Sequence, residues 1–336
     1  DPEMSRGLGD VYKRQLLGGC TSTSVTEKYQ DKRNDIINVK DKVIEFETGN
    51  VLIGSVSRLY MSNKCLLIAD HKSVDKQIHI FNKNDFSYLT SIGNFGEGPE
   101  EITVMGCLAI DEAHHQLYVS DHAKQKIFSY DMDSVMVDSL YKPQVKTAMN
   151  ETLFPSEYQY INDTLSIAVL IKPTSTSTFN QFLGRWNMNT GEMIPMKYTH
   201  PDIQKKRITF AASEKAGIYV ECYTRHDLMT ICSLDGELLY NIYGPDWDGG
   251  NGNKLQSFGT VMIGNDKIFV SYCGEDYARD SFPTKILVFD LEGNYLKTLE
   301  TGYKISDCCY DSFNNRIILS LNDVVQFAYL DIDGII

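Results

Sequence analysis

Asp70-His71, Asp121-His122 and Arg225-His226 each follow a run of apolar residues, and they recur at about fifty positions or twice that. Imidazoles titrate close to neutrality, so histidines gathered on one rim could ligate a metal ion, move a proton or hydrogen-bond an acidic ligand. Lys172, Glu275, Asp276 and Arg279 stand at matching places in the intervening repeats, and Asn322-Asp323 in the last. Such a mixture suits an anionic sugar, a peptide carboxylate or a Ca, Mg or Zn ion at a channel mouth, although nothing in the pattern requires a cofactor. The expected ligand rim is therefore His71, His122, Lys172, Arg225, His226, Glu275, Asp276 and Arg279. A plainer account competes with it: Asp70 and Asp121 begin turns, where an aspartate caps its own loop and the neighbouring histidine is solvated. The chain has no G-x-S-x-G, H-E-x-x-H or Walker A pattern, so no catalytic residue is assigned.

What could hold these residues in one ring is a repeat. Leu66-Leu67-Ile68, Leu117-Tyr118-Val119, Leu165-Ser166-Ile167, Ile218-Tyr219-Val220, Ile268-Phe269-Val270 and Ile317-Ile318-Leu319 follow one another at intervals of 48 to 53 residues. A period near fifty, with several strands per unit and no helical periodicity, predicts an all-β, six-bladed β-propeller with four antiparallel strands per blade. Loops between the second and third strands of every blade then gather on one rim of the central channel. Asn189-Thr190-Gly191, Asp235-Gly236 and Glu292-Gly293-Asn294 supply the next hairpin in units three to five, where φ > 0 is needed. In unit two, Asp131-Met132-Asp133 is read as that turn, and residues 135–140 as the outer strand. Neither Asp131-x-Asp133 nor Asp331-x-Asp333-Gly334 supplies the further ligands of a calcium loop.

The sixth unit stops short of an outer strand, since only Ile335 and Ile336 follow Asp333-Gly334. Val43-Ile44-Glu45-Phe46 alternates in a strand-like way ahead of the first unit, and is expected to complete the last blade and close the ring. A C-terminus cut short is the competing reading.

The chain is 42% hydrophobic, and its longest apolar runs are strand-sized, below the roughly 18 residues of a membrane-crossing helix. With 32 basic against 45 acidic residues, its net charge of −13 argues against nucleic acid, which requires clustered cations. Lys205-Lys206-Arg207 is too short for such a cluster and reads as a solvated loop. Residues 1–15 resemble a translated sequencing adapter and are excluded from fold reasoning. Residues 16–35 read as a signal-peptide remnant, lipobox and tether, and residues 36–336 as the propeller. Leu17-Gly18-Gly19-Cys20 has the apolar and small residues that precede a lipidated cysteine, so Cys20 is the expected anchor, with no transmembrane helix. The remaining cysteines form no C-x-x-C or zinc spacing, and most are expected as small hydrophobes in apolar strands; Cys222 and Cys232 flank one hairpin and would pair only if the register sets them opposite.

Gly93-Asn94-Phe95-Gly96-Glu97-Gly98-Pro99 has the glycines of a phosphate loop but neither the Lys-Ser/Thr nor a following helix, and reads as a connection between blades. With Glu100-Glu101-Ile102 after it, Ile80-Phe81-Asn82-Lys83 before it and Leu108-Ala109-Ile110-Asp111 beyond, the segment resembles the six-bladed, TolB-like or NHL-like propeller lipoproteins of Bacteroides-type bacteria. In that family a fourth glycine and an aromatic residue stand where this chain has Glu100 and Ile102. The resemblance implies a ring tethered by lipid in the cell envelope, on the periplasmic side or the outer surface, and it implies no activity. A non-catalytic binding or scaffold protein for a carbohydrate, peptide or envelope protein is the first expectation. The second is a metal-dependent lactonase- or lyase-like enzyme acting at the channel mouth.

Overall fold

An isolated blade has two apolar faces and can bury neither alone, and the arrangement of the core follows from that. The computed structural model describes residues 26–336 apart from 139, 176 and 253. It opens with three short strands, β1 (Glu27–Tyr29), β2 (Ile36–Asn38) and β3 (Val43–Glu45). Blade 1 is β4 (Ser57–Met61), β5 (Cys65–Asp70), β6 (Lys76–Asn82) and β7 (Tyr88–Asn94); blade 2 is β8 (Met105–Asp111), β9 (Gln116–Asp121), β10 (Lys126–Asp131) and β11 (Gln144–Ala148). Blade 3 comprises β12 (Phe154–Asn162), β13 (Leu165–Pro173), β14 (Phe179–Trp186) and β15 (Met193–Pro195). Blade 4 comprises β16 (Ile208–Ser213), β17 (Ile218–Tyr223), β18 (Leu228–Ser233) and β19 (Leu238–Tyr243). In blade 5 these are β20 (Leu255–Gly264), β21 (Lys267–Asp276), β22 (Lys285–Asp290) and β23 (Tyr295–Glu300). Blade 6 has β24 (Ile305–Asp311), β25 (Arg316–Leu321) and β26 (Phe327–Asp331).

Every predicted repeat core is a second strand. The buried apolar residues fall into six clusters, one at each junction between neighbouring blades. Along β5, Leu67 faces blade 2 while Leu66 and Ile68 face blade 6, because successive side chains of a strand point to opposite faces. A second strand is thus wet on neither side, which is why it reads as an unbroken apolar run.

The ring closes as expected: β3 pairs antiparallel with β26, placing Val43 opposite Leu330 and Glu45 opposite Ala328. Phe46 extends the seam, stacked on Phe86 at 3.9 Å and near Phe327 at 5.9 Å. The segment before β3 goes beyond the expectation. β1 lies parallel to β19 and β2 parallel to β23, adding a fifth strand to blades 4 and 5. From residue 27 onward the stretch assigned to the tether is bound to the ring.

Unit two also differs from the reading of its sequence. The residues described between 135 and 140 do not form the outer strand. Asp131 accepts the amide of Ser134 and caps a short helix, α1 (Met132–Val137), which packs Val135 into the core; the outer strand is β11. An N-cap aspartate three residues ahead of a serine amide satisfies a donor that a hairpin would have left free, and local capping overrides the alternation.

Lys205-Lys206-Arg207 is a loop with Lys205 and Arg207 exposed, but Lys206 departs from the expectation. Lys206 is buried in an ion pair with Glu221, 2.6 Å between Nζ and Oε1. The seven described cysteines are free and buried, and Cys222 lies opposite Met229 rather than Cys232, so register keeps those two thiols apart.

Candidate functional site

Two aspartates of the proposed rim do structural work. Asp70, at the end of β5, accepts the amides of Gly54 and Lys72; Asp121, at the end of β9, accepts those of Thr103, Val104, Ala123 and Lys124. Each ties the chain entering its blade to the loop after the second strand. Lys124 completes the device by placing its ammonium on the carbonyls of Gly98 and Glu101, each at 2.6 Å, and of Gly96 at 3.4 Å. The 93–99 loop therefore turns carbonyls toward a cation, the reverse of a phosphate cradle, and serves as the connection expected of it.

The histidines beside these aspartates stand in neighbouring blades, close enough for their charges to interact. His71 Nδ1 lies 3.3 Å from the carbonyl of Met105, and the Nε2 atoms of His71 and His122 are enclosed without a hydrogen-bond partner. Gly106 makes room for His122: a Cβ there would fall 2.4 Å from the imidazole Nε2. Burial holds both imidazoles below their usual range, reinforced at His71 by the Arg58 charge, so both are neutral near pH 7.

The remaining residues of the expected rim do not join them. His226 is buried, packed against Tyr223 and Trp247 with Asp248 3.7 Å away, so it serves as a core residue of blade 4 rather than a rim ligand. Arg225 stacks on Tyr277, 3.1 Å from the ring centre. Asp276 caps the short 3-10 turn of residues 277–279, while Glu275 and Arg279 form an exposed pair at 3.0 Å. Lys172 is exposed on β13, with its backbone opposite Asn180.

The charged residues that converge lie on the inner strands. A cavity of ≈ 370 Å³ is lined by β4, β8, β12, β16, β20 and β24, one strand from each blade. Arg58 of β4 reaches across it to Glu157 of β12, 3.0 Å between Nη1 and Oε1. Asp307 of β24 accepts the amide of Leu59 and the hydroxyl of Thr260, each at 2.7 Å. Burial raises the Asp307 carboxyl above the ordinary carboxylate range, an effect countered mainly by Arg58. The Arg58 guanidinium is in turn held charged by Tyr60 first, against the cost of its burial, and then by Glu157 and Asp307. Sequence reading missed Arg58, Glu157 and Asp307. A charge within a first strand was the signal available in three of the six blades, as in Ser57-Arg58-Leu59-Tyr60.

On the opposite rim, Asp111, His114 and Asp163 hold one ligand atom each within 4.8 Å of one another. His114 Nδ1 already bonds Asp111 at 2.9 Å, and Asp163 accepts the hydroxyl of Tyr160, so these groups satisfy each other.

Six blades around a lumen polarised by one arginine and two carboxylates define a six-bladed β-propeller with a channel site. The family model DUF5128, described as a 6-bladed beta-propeller, matches residues 21–180. No curated protein sequence matches the chain. Among solved structures, a Bacteroides fragilis protein named as exported is similar, with 13% identity over 91% of this chain and 98% of that one and a TM-score of 0.59. A DUF4221 family member from Bacteroides vulgatus has 10% identity over 89% and 98%, TM-score 0.57. A luciferin-regenerating enzyme has 8% identity over 85% and 94%, TM-score 0.56. At such identities the likeness extends to the fold alone. No helix among the described residues is long and apolar enough to cross a membrane.

Proposed function

We propose that this chain is a binding propeller of the bacterial cell envelope, anchored by lipid at Cys20 and taking a small ligand in its channel. The observation that carries the binding role is the cavity built by all six inner strands, which holds an ion pair still open to the lumen. Its volume falls near the small end of the range of roughly 300–1,000 Å³ for ligand pockets. The site's positive charge comes from Arg58, whose charge acts on both carboxylates, and this favours binding over metal-assisted hydrolysis. Envelope placement is supported by the Leu17-Gly18-Gly19-Cys20 motif, which lies outside the described residues, and by the exported Bacteroides fragilis protein of like fold. Cys20 precedes Thr26 by six positions, a reach of about 20 Å, so a lipid there would keep the ring close against a bilayer.

Two measurements test the reading. Expressed behind a native signal sequence, the protein should incorporate labelled fatty acid and sediment with membranes, and Cys20→Ala should release it to the soluble fraction. Sedimentation unchanged by Cys20→Ala would sink the anchor. For the channel, peptide and glycan panels should give ligands whose binding Arg58→Gln abolishes; ligands indifferent to Arg58→Gln would move the site elsewhere.

A further inference from the structure

The Arg58–Glu157 pair differs from the buried cross-element pairs in how little of it is used. Lys206–Glu221, Arg33–Asp227 and Lys83–Asp311 are closed, with side chains no more than 7% exposed. Arg58 and Glu157 retain 40% and 41% although they lie within the channel. Arg58 spends one N–H on Glu157 Oε1; the rest of its donor fork and the other oxygen of Glu157 have no hydrogen-bond partner among the described residues. The site thus presents, side by side, an unfilled cationic fork and an unfilled anionic acceptor.

Charge balance narrows what fits. A simple anion would meet Arg58 but also add to Glu157 and Asp307, while a simple cation would meet Glu157 but crowd Arg58. A zwitterion changes neither balance. In an α-amino acid the ammonium nitrogen and a carboxylate oxygen are about 3 Å apart by covalent geometry, so one small ligand can reach both members of a pair whose heads are themselves in contact at 3.0 Å. Laid head to tail on it, such a ligand puts its carboxylate on the free edge of Arg58 and its ammonium on Glu157, in a charge-assisted square. Phe210, Tyr60 and Met262 line the same cavity and offer apolar surface to a side chain.

We propose that the channel binds a free α-amino acid as its zwitterion, the carboxylate on Arg58 and the ammonium on Glu157. This rests on the channel reading above and specifies its ligand. The test is thermal denaturation of the whole protein with each common α-amino acid at millimolar concentration, followed by calorimetric titration of any that stabilises. At least one should bind. Its N-acetyl derivative and its decarboxylated amine should not, and Arg58→Gln and the isosteric Glu157→Gln should each weaken it by roughly 30-fold or more. Arg58→Lys, which keeps the charge but loses the fork, should retain part of the affinity, and circular dichroism checks that each variant is folded. If no amino acid stabilises the wild-type protein, the proposal falls. If glucuronate, a carboxylate without an ammonium, binds instead and is lost in Arg58→Gln, the zwitterion is wrong and the channel site stands. An amino acid that binds equally to both glutamine variants overturns the proposal and the channel site together.

Discussion

Replacing Arg33 by methionine would leave a buried carboxylate without its counter-charge. Arg33 comes from the segment between β1 and β2, and its guanidinium donates to Asp227 Oδ1 at 2.8 Å while lying over Phe258, Tyr272 and Phe289, at 5.5 to 5.7 Å from the ring centres. The pair is almost wholly enclosed, 7% and 0% exposed, so solvent screens it little. Removing one partner of a buried pair costs about 3–5 kcal/mol, mostly the desolvation of the charge left behind. With an unfolding entropy of roughly 2.1 cal/mol/K per residue, that lowers the melting temperature by about 4–7 °C. Burial already raises the Asp227 carboxyl, and Arg33 is the largest influence pulling it back down. Without Arg33 the carboxyl rises further and the folded state binds its proton more tightly than the unfolded state. Stability is then lost as pH rises through the folded pKa, so the deficit of Arg33→Met should be larger at pH 8 than at pH 5. Asp227→Asn in the Arg33→Met background should restore a good part of the loss, because the amide oxygen can still accept from Asp246 and Tyr272. Calorimetric melts of the two single variants and the double variant at both pH values provide the cycle. A deficit below about 0.5 kcal/mol, the level of an ordinary surface substitution, or one that is the same at both pH values, would refute the account of the strap as an electrostatic clasp.

Three further outcomes follow from the same structure. Phe46→Ala opens the seam between β3, Phe86 and Phe327 and should cost about 3–5 kcal/mol in chemical denaturation; a loss under about 1 kcal/mol would mean that the strand pairing alone closes the ring. His71, His79, His122, His200 and His226 are all held below 6.5 by burial, so the unfolded chain takes up protons first on acidification. Stability should therefore fall as pH drops from 7 toward about 5, and a melting temperature that is flat or rising over that interval would contradict it. Gly106→Ala drives a methyl into the His122 imidazole and should cost about 1–3 kcal/mol, with the His122 ring resonances shifted in NMR spectra; unchanged resonances would show that the ring is not lodged against Gly106.

The architecture was legible because it is a matter of period. Second strands buried on both faces must be apolar throughout, and six such runs about fifty residues apart specify six blades and the loops that share a rim. The closing strand was legible too, since the last unit lacked an outer partner and Val43-Ile44-Glu45 alternated as one. The outer strand of blade 2 was misread because α1 depends on one side-chain cap, a local bond that alternation does not register. Arg33 gave no warning, standing in a polar stretch that composition alone assigns to a tether.

The candidate site divides along the same line. The rim histidines were visible as residue types beside turns, and the structure sets His71 and His122 in neighbouring blades within reach of the Arg58 and Glu157 charges. His226 did not join them, because the loop packing that buries it against Trp247 is invisible to a repeat register. Arg58, Glu157 and Asp307 are separated by 99 and 150 positions and belong to blades 1, 3 and 6. By itself the sequence determined the second strands, the number of blades and the closing of the ring, since these follow from hydrophobic period and turn chemistry, which are local. Only the tertiary structure decided which polar side chains share the lumen, because first strands from separate blades meet only after the ring has closed.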